Sequence, residues 1–199
     1  MADFRVLLFD LGGVLLRLHR QNEIFGLPID EGEFLKRWIQ SRAVREFECG
    51  AIDAERFARA IVVEAELPYD WREFLERFEA WPDQLYPGVT DLLDNIPSRY
   101  RRVLLSNTNA IHWHRDGVAD ELAGRFENVF LSYLTGQLKP DRKSFQFVRD
   151  QLDCDAGQIV FFDDNPANVC AATAFGCHSI LTKGAGELRT SLEDLGVFP

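Results

Sequence analysis

Residues 7–16 read LLFDLGGVLL, an apolar strand that runs into one carboxylate, Asp10, and then into two glycines, Gly12 and Gly13. A short apolar run bounded by a turn signal reads as a buried strand, and glycine lets the chain reverse direction after it. A turn accounts for the glycines. It does not account for Asp10, whose purpose depends on partners far along the chain.

Working outward, further apolar runs at 103–105, 129–131, 159–162 and 179–181 alternate with longer stretches of helical period. Strands that alternate with helices predict an α/β fold, a parallel sheet covered by helices on its faces. The stretch from 17 to 80 breaks the alternation. It carries no convincing strand but has amphipathic segments such as EGEFLKRWIQ and AERFARAIVVEA, and LYPGV at 85–89 marks the return to the sheet. The expected organisation is a core of residues 1–16 and 85–199 with a helical insertion at 17–84.

The chain's 199 residues, 46% of them hydrophobic, suffice for one folded core with an insertion. Its net charge of −10, from 32 acidic and 22 basic residues, opposes nonspecific attraction to nucleic acid or to an anionic membrane. Cys49, Cys154, Cys170 and Cys177 form no CxxC pair, which points away from zinc and from a disulfide framework and toward a reducing cytoplasm. No signal peptide or spanning segment is expected. Oligomeric state is not legible.

In open parallel sheets ligands collect at the carboxyl ends of strands, and there the chain places its polar groups. Asp10 follows the first strand, Ser106 and Asn107 follow the second in RVLLSNTN, Lys139 lies in GQLKPD, and Asp163 and Asp164 follow another strand in IVFFDDNPAN. Three carboxylates on one edge repel unless Lys139 or a cation sits among them. Hard oxygen donors that leave room for a phosphate suit Mg²⁺.

The order Asp10, Ser106, Lys139, Asp163-Asp164 resembles the four motifs of the haloacid dehalogenase-like hydrolase superfamily. KPDRKSF and DDNPANVCAATAFG look like its phosphatase branch. The order differs from that of two-component receiver domains. The resemblance implies a Rossmann-like three-layer core with a small helical cap inserted after the first strand. It further implies that Asp10 is a nucleophile forming an aspartyl-phosphate, and that Asp10, the Gly12 carbonyl and Asp164 hold Mg²⁺ with support from Asp163. Ser106 and the Asn107 backbone amide would bind phosphoryl oxygens, with Lys139 neutralising charge.

One position departs from that family. Most of its phosphatases carry a second aspartate two residues after the nucleophile, as acid and base, whereas this chain has Gly12. Three readings follow: another group or water replaces the acid, only good leaving groups react, or the protein is a noncatalytic binder. His112 and His114 are candidates for the missing acid, though polar residues in a helix-opening loop are ordinarily solvated. His19 is read the same way. Arg42 and Arg45 either reach substrate from the cap or lie on its surface. Trp38, Trp71 and Trp81 are expected in the cap core, Trp113 is ambiguous, and Asn168 is placed one helical turn on to order the acidic loop.

The sequence reading is a Mg²⁺-dependent phosphatase for a small phosphorylated metabolite, with sugar phosphates as the leading class. A noncatalytic regulatory protein on the same fold is the alternative, and halide release is disfavoured because Lys139 and Asp163-Asp164 suit Mg²⁺ and phosphate.

Overall fold

The structure is a computed structural model that describes residues 4–27 and 30–198. In chain order it runs β1 (Val6–Phe9), β2 (Leu16–Leu18), α1 (Gln21–Phe25), α2 (Glu31–Gln40), α3 (Arg42–Glu48), α4 (Ala54–Glu64), α5 (Trp71–Glu79) and β3 (Pro82–Leu85). It continues with α6 (Val89–Asp94), β4 (Arg101–Ser106), α7 (Ala110–Trp113), α8 (Val118–Leu122), β5 (Asn128–Leu131) and α9 (Ser132–Thr135). The last elements are α10 (Arg142–Leu152), β6 (Ile159–Asp163), α11 (Pro166–Phe175), β7 (His178–Leu181) and α12 (Gly184–Asp194).

Five strands form one parallel sheet in the order β5-β4-β1-β6-β7. Successive side chains of a strand point to opposite faces, so a strand covered on both sides must be apolar throughout. β1 shows this: Leu7 and Phe9 join a cluster with Leu92, Leu93, Leu188 and Leu192 of α6 and α12. Val6 and Leu8 join the opposite cluster with Phe145, Val148 and Leu152 of α10 and Ala172 of α11. The result is the three-layer α/β architecture expected from the alternation.

Helices α1 to α5 surround a third core of stacked aromatics, including Phe25, Phe34, Phe57, Phe74, Phe78 and Trp81. Each fully buried ring contributes roughly 1.5–3 kcal/mol of hydrophobic burial. Asp30, Ser41, Asp53 and Asp70 cap α2, α3, α4 and α5 by accepting from backbone amides of the first turn. Such a cap is worth about 1 kcal/mol, so these four residues set where the helices begin.

One expectation needs correction. The region read as helical is bounded by two short strands, β2 and β3, which pair antiparallel with an irregular register. They are three and four residues long and β3 opens on a proline, so neither gives a periodic signal. The expected limits at 17 and 84 fall inside these strands. Tyr86 donates its amide to the Leu15 carbonyl at 2.9 Å and His19 donates to Trp81 at 3.0 Å, so the strands form the stem joining the helices to the sheet.

Candidate active site

β1 is the central strand, with β4 and β6 on its two sides, so the residues ending these strands are neighbours by construction. Asp10 follows β1, Ser106 ends β4 and Asp163 ends β6. Lys139 enters from the loop before α10. Its ammonium lies 2.7 Å from Asp10 Oδ1 and 2.7 Å from Asp163 Oδ2, with its side chain 1% exposed. The side chain of Asn107 fixes that loop: it donates to the Lys139 carbonyl at 2.8 Å and accepts from the Lys139 amide at 2.9 Å.

Asp163 is fully buried and saturated. Its Oδ1 accepts from the Asn165 amide at 2.8 Å and from Asn168 Nδ2 at 3.0 Å, while Oδ2 accepts from Asn168 at 3.0 Å and from Lys139. A carboxylate has about four acceptor sites, so Asp163 has none left for direct coordination. It holds Lys139, and with Asn168 it fixes the turn that presents Asp164.

The charge balance is incomplete without a cation. Burial pushes the Asp10 carboxyl up to about 8; Lys139 opposes the shift, and Asp163 and Asp164 add to it. Burial, then Asp163, lifts Asp164 to about 6. Burial opposes the Lys139 ammonium, but Asp10 and Asp163 outweigh it and hold the group above its ordinary range. One ammonium among three carboxylates leaves an excess of negative charge. Ligand atoms of Asp10, Asp163 and Asp164 lie within 4.8 Å of one another, and with Asp163 taken up by its own partners the oxygens of Asp10 and Asp164 are the ones suited to a hard divalent cation.

The two glycines of the opening stretch differ. Gly13 has φ +75°, and a Cβ there would fall 2.2 Å from Asp164 Oδ2, so only glycine lets the turn pass under that carboxylate. At Gly12 a Cβ would meet Leu18 Cδ1 at 3.4 Å, ordinary contact.

Above these groups lies a cavity of about 560 Å³ between sheet edge and helices. Asp10, Ser106, Lys139 and Asp164 form its floor, while Leu35, Trp38, Ile39, Val44, Phe78 and Trp81 line its far wall.

The haloacid dehalogenase-like hydrolase family matches residues 4–176. This chain belongs to that family. Among relatives of this hydrolase, the sesquiterpene phosphatase astK of Aspergillus oryzae is 28% identical over 178 residues, 88% of each chain. A haloacid dehalogenase family enzyme from Bacteroides thetaiotaomicron, solved with magnesium and inorganic phosphate, is 26% identical with a TM-score of 0.71, covering 90% of this chain and 94% of the other. A structure of a predicted HAD-like family hydrolase from Porphyromonas gingivalis covers 100% of both chains with a TM-score of 0.75 at 22% identity, which speaks to fold alone.

Several polar residues of the hydrolase lie elsewhere than expected. His112 is buried, not solvated: its Nε2 is 2.8 Å from the Phe78 carbonyl and its Nδ1 is 3.2 Å from Asn109 Nδ2. Those partners require the neutral ring, and burial pushes its pKa down to about 4. With both nitrogens engaged it has no proton to give, and it ties α7 to α5. His114 is not on the cavity wall. His19 is on the wall, Nε2 3.7 Å from Asp83 Oδ1. Arg42 is exposed and pairs with Glu46, whereas Arg45 lines the cavity and pairs with Asp141 at 2.8 Å. Trp81 sits in the cap core, Trp38 and Trp71 pack against it, and Trp113 lies in the sheet core.

Sequence reasoning missed Ser132, whose hydroxyl donates to the Thr108 carbonyl and accepts from the Thr108 amide, both at 2.9 Å, bracing the loop after Ser106. It also missed Glu48 on the cavity wall. A signal for Glu48 existed in Gly50, where a Cβ would fall 2.4 Å from the Tyr133 carbonyl. A glycine two residues on marks the close approach of this segment to the core.

Proposed function

We propose that this hydrolase is a Mg²⁺-dependent phosphatase that acts on a small phosphorylated metabolite through an aspartyl-phosphate. The observation that carries the reading is Lys139 bridging Asp10 and Asp163 at 2.7 Å each beneath a cavity. A buried ammonium there opposes the burial that favours protonated Asp10, holds the carboxyl in one orientation and neutralises charge on the transferring group.

In the first step an Asp10 carboxylate oxygen attacks phosphorus and the ester oxygen departs; in the second, water displaces Asp10 as inorganic phosphate forms. The Ser106 hydroxyl and the Asn107 backbone amide donate to the phosphoryl oxygens. Asp163 acts by holding Lys139. Mg²⁺ held by Asp10, the Gly12 carbonyl and Asp164 supplies charge neutralisation at the phosphoryl oxygens. Support for the ion comes from the charge imbalance at the sheet edge and from the Bacteroides relative solved with magnesium and phosphate.

The organic part of the substrate is apolar in our reading. Sugar phosphates, the class expected from sequence, need partners for several hydroxyls, and on the cap side of the cavity the apolar Leu35, Trp38, Ile39, Val44, Phe78 and Trp81 outnumber the polar His19, Arg20, Gln21, Arg45 and Glu48. The likeness to a sesquiterpene phosphatase supports the same choice. No helix among the described residues is long and apolar enough to cross a membrane. A reducing cytoplasm remains the proposed compartment, supported by four unpaired cysteines.

Turnover of an aryl phosphate with and without Mg²⁺, by wild type and by Asp10→Asn, tests the catalytic reading. Activity that needs both the ion and Asp10 supports it, and an inactive wild type returns the protein to the noncatalytic class. A panel of prenyl monophosphates against hexose phosphates then decides the substrate class, a higher kcat/KM for hexoses overturning the apolar reading.

A further inference from the structure

Resting on the phosphatase reading, we propose that Glu48 of the cap is the acid and base of the reaction, delivering from the opposite wall the proton transfers that Gly12 cannot.

Comparison of the groups around Asp10 on the cavity wall, which His19, Tyr86 and Lys183 also line, leads to this residue. Asp10 is the nucleophile, Lys139 is held by two carboxylates, and Asp164 belongs to the acidic cluster. His112 has both nitrogens engaged, and the guanidinium of Arg45 does not give up a proton near neutral pH. Glu48 is the carboxylate on the wall outside the acidic cluster, at the last position of α3 and half-buried.

Its position is held on both sides. The Trp38 indole of α2 donates to the Glu48 carboxylate, while Lys139 from the core and Arg45 from its own helix face it as positive charges. Three contacts pin the end of α3 to the core segment that carries Lys139. Arg45 pairs with Asp141 at 2.8 Å, Cys49 Sγ lies 3.7 Å from the Gly136 carbonyl, and Gly50 packs on the Tyr133 carbonyl. The carboxyl is therefore fixed relative to Lys139, not carried on a loose surface helix. Burial lifts it to about 7 against the Trp38 hydrogen bond and the two cations, so both protonation states are populated at neutral pH.

The steps balance. As the bond from Asp10 to phosphorus forms and the ester bond breaks, the Glu48 carboxyl proton passes to the departing oxygen, and the alcohol leaves with Glu48 ionised. Glu48 then takes a proton from water as the water oxygen bonds to phosphorus and the bond to Asp10 breaks. Inorganic phosphate is released, and Glu48 is protonated again.

The test is Glu48→Gln against wild type on phosphate monoesters graded by leaving-group pKa, with Mg²⁺ present. The expected result is a loss of kcat/KM of roughly 10²–10⁴-fold for alkyl esters and a much smaller loss for aryl esters, so that leaving-group dependence steepens. With aryl esters kcat should fall more than kcat/KM, with aspartyl-phosphate accumulating, because the second step loses its base. Adding Gly12→Asp to the variant should flatten the dependence again, since position 12 has room for a Cβ. An equal loss across the series means Glu48 only binds substrate or supports the fold, and an unchanged slope means the proton comes from elsewhere, His19, Tyr86 and Lys183 being the other titratable cavity groups to mutate. Either result overturns the proposal while wild-type turnover leaves the phosphatase reading standing. Absence of any wild-type turnover overturns both.

Discussion

Asn168 meets Asp163 through one side-chain nitrogen that donates to both carboxylate oxygens at 3.0 Å. Asp163 is fully buried, so this amide replaces water that the carboxylate has lost. Asn168→Ala should therefore destabilise the fold by about 1–3 kcal/mol, the usual cost of stranding a buried acceptor, measured by urea unfolding with Mg²⁺ absent. A midpoint within error of wild type would mean that Lys139 and the Asn165 amide suffice.

Asp10→Asn should abolish turnover, because an amide is a poor nucleophile toward phosphorus. The same change should not lower stability in metal-free protein at pH 8. Burial holds the Asp10 carboxyl up to about 8, so ionising it costs folding free energy, progressively as pH rises above the unfolded value near 4. Thermal midpoints of both proteins between pH 5 and pH 9 check the sign: wild type should fall relative to the variant as pH rises.

Mg²⁺ should raise the thermal midpoint of the wild type, because an ion that binds only the folded state stabilises it by mass action and relieves repulsion between Asp10 and Asp164. Asp164→Ala should remove most of that shift. Ca²⁺ should stabilise the fold but support less turnover, since its longer bonds and higher ligand number suit in-line transfer poorly. Equal midpoints with and without Mg²⁺ would count against an ion site at this sheet edge.

Gly13→Ala and Gly12→Ala should part company. The first forces a side chain into φ +75° and into Asp164 Oδ2, and should lower both stability and activity severely; the second meets only Leu18 and should fold normally. Circular dichroism melts of the two variants decide between them.

Acid should loosen the link between α7 and α5. The folded state holds His112 neutral with its pKa down to about 4, whereas the unfolded chain binds a proton near 6.5. The unfolded state thus takes up more protons, and stability falls as pH drops from about 6.5 to about 4, by at most about 1.4 kcal/mol per pH unit from this group. His112→Gln should flatten that limb of the stability profile.

The parallel sheet and the positions of Asp10, Ser106, Lys139 and Asp163-Asp164 were legible because buried strands leave continuous apolar runs and the polar groups stand at their ends. β2 and β3 were not, being too short to show a period. His112 misled because its burial comes from Phe78, 34 residues away in sequence. Glu48 was hidden for the same reason: its neighbour Lys139 lies across the fold, and Gly50 two residues on marks only a close approach to the core, not where the carboxylate faces.

The free space beside Gly12 bears on how this active site can change. Every glycine codon lies one base change from a codon for aspartate or glutamate, and a Cβ at position 12 would meet only Leu18, at ordinary contact distance. A carboxylate two residues after Asp10 is thus one mutation away, so that, on the proposed role of Glu48, proton transfer from the cap and from the turn after β1 would be alternative designs on one fold.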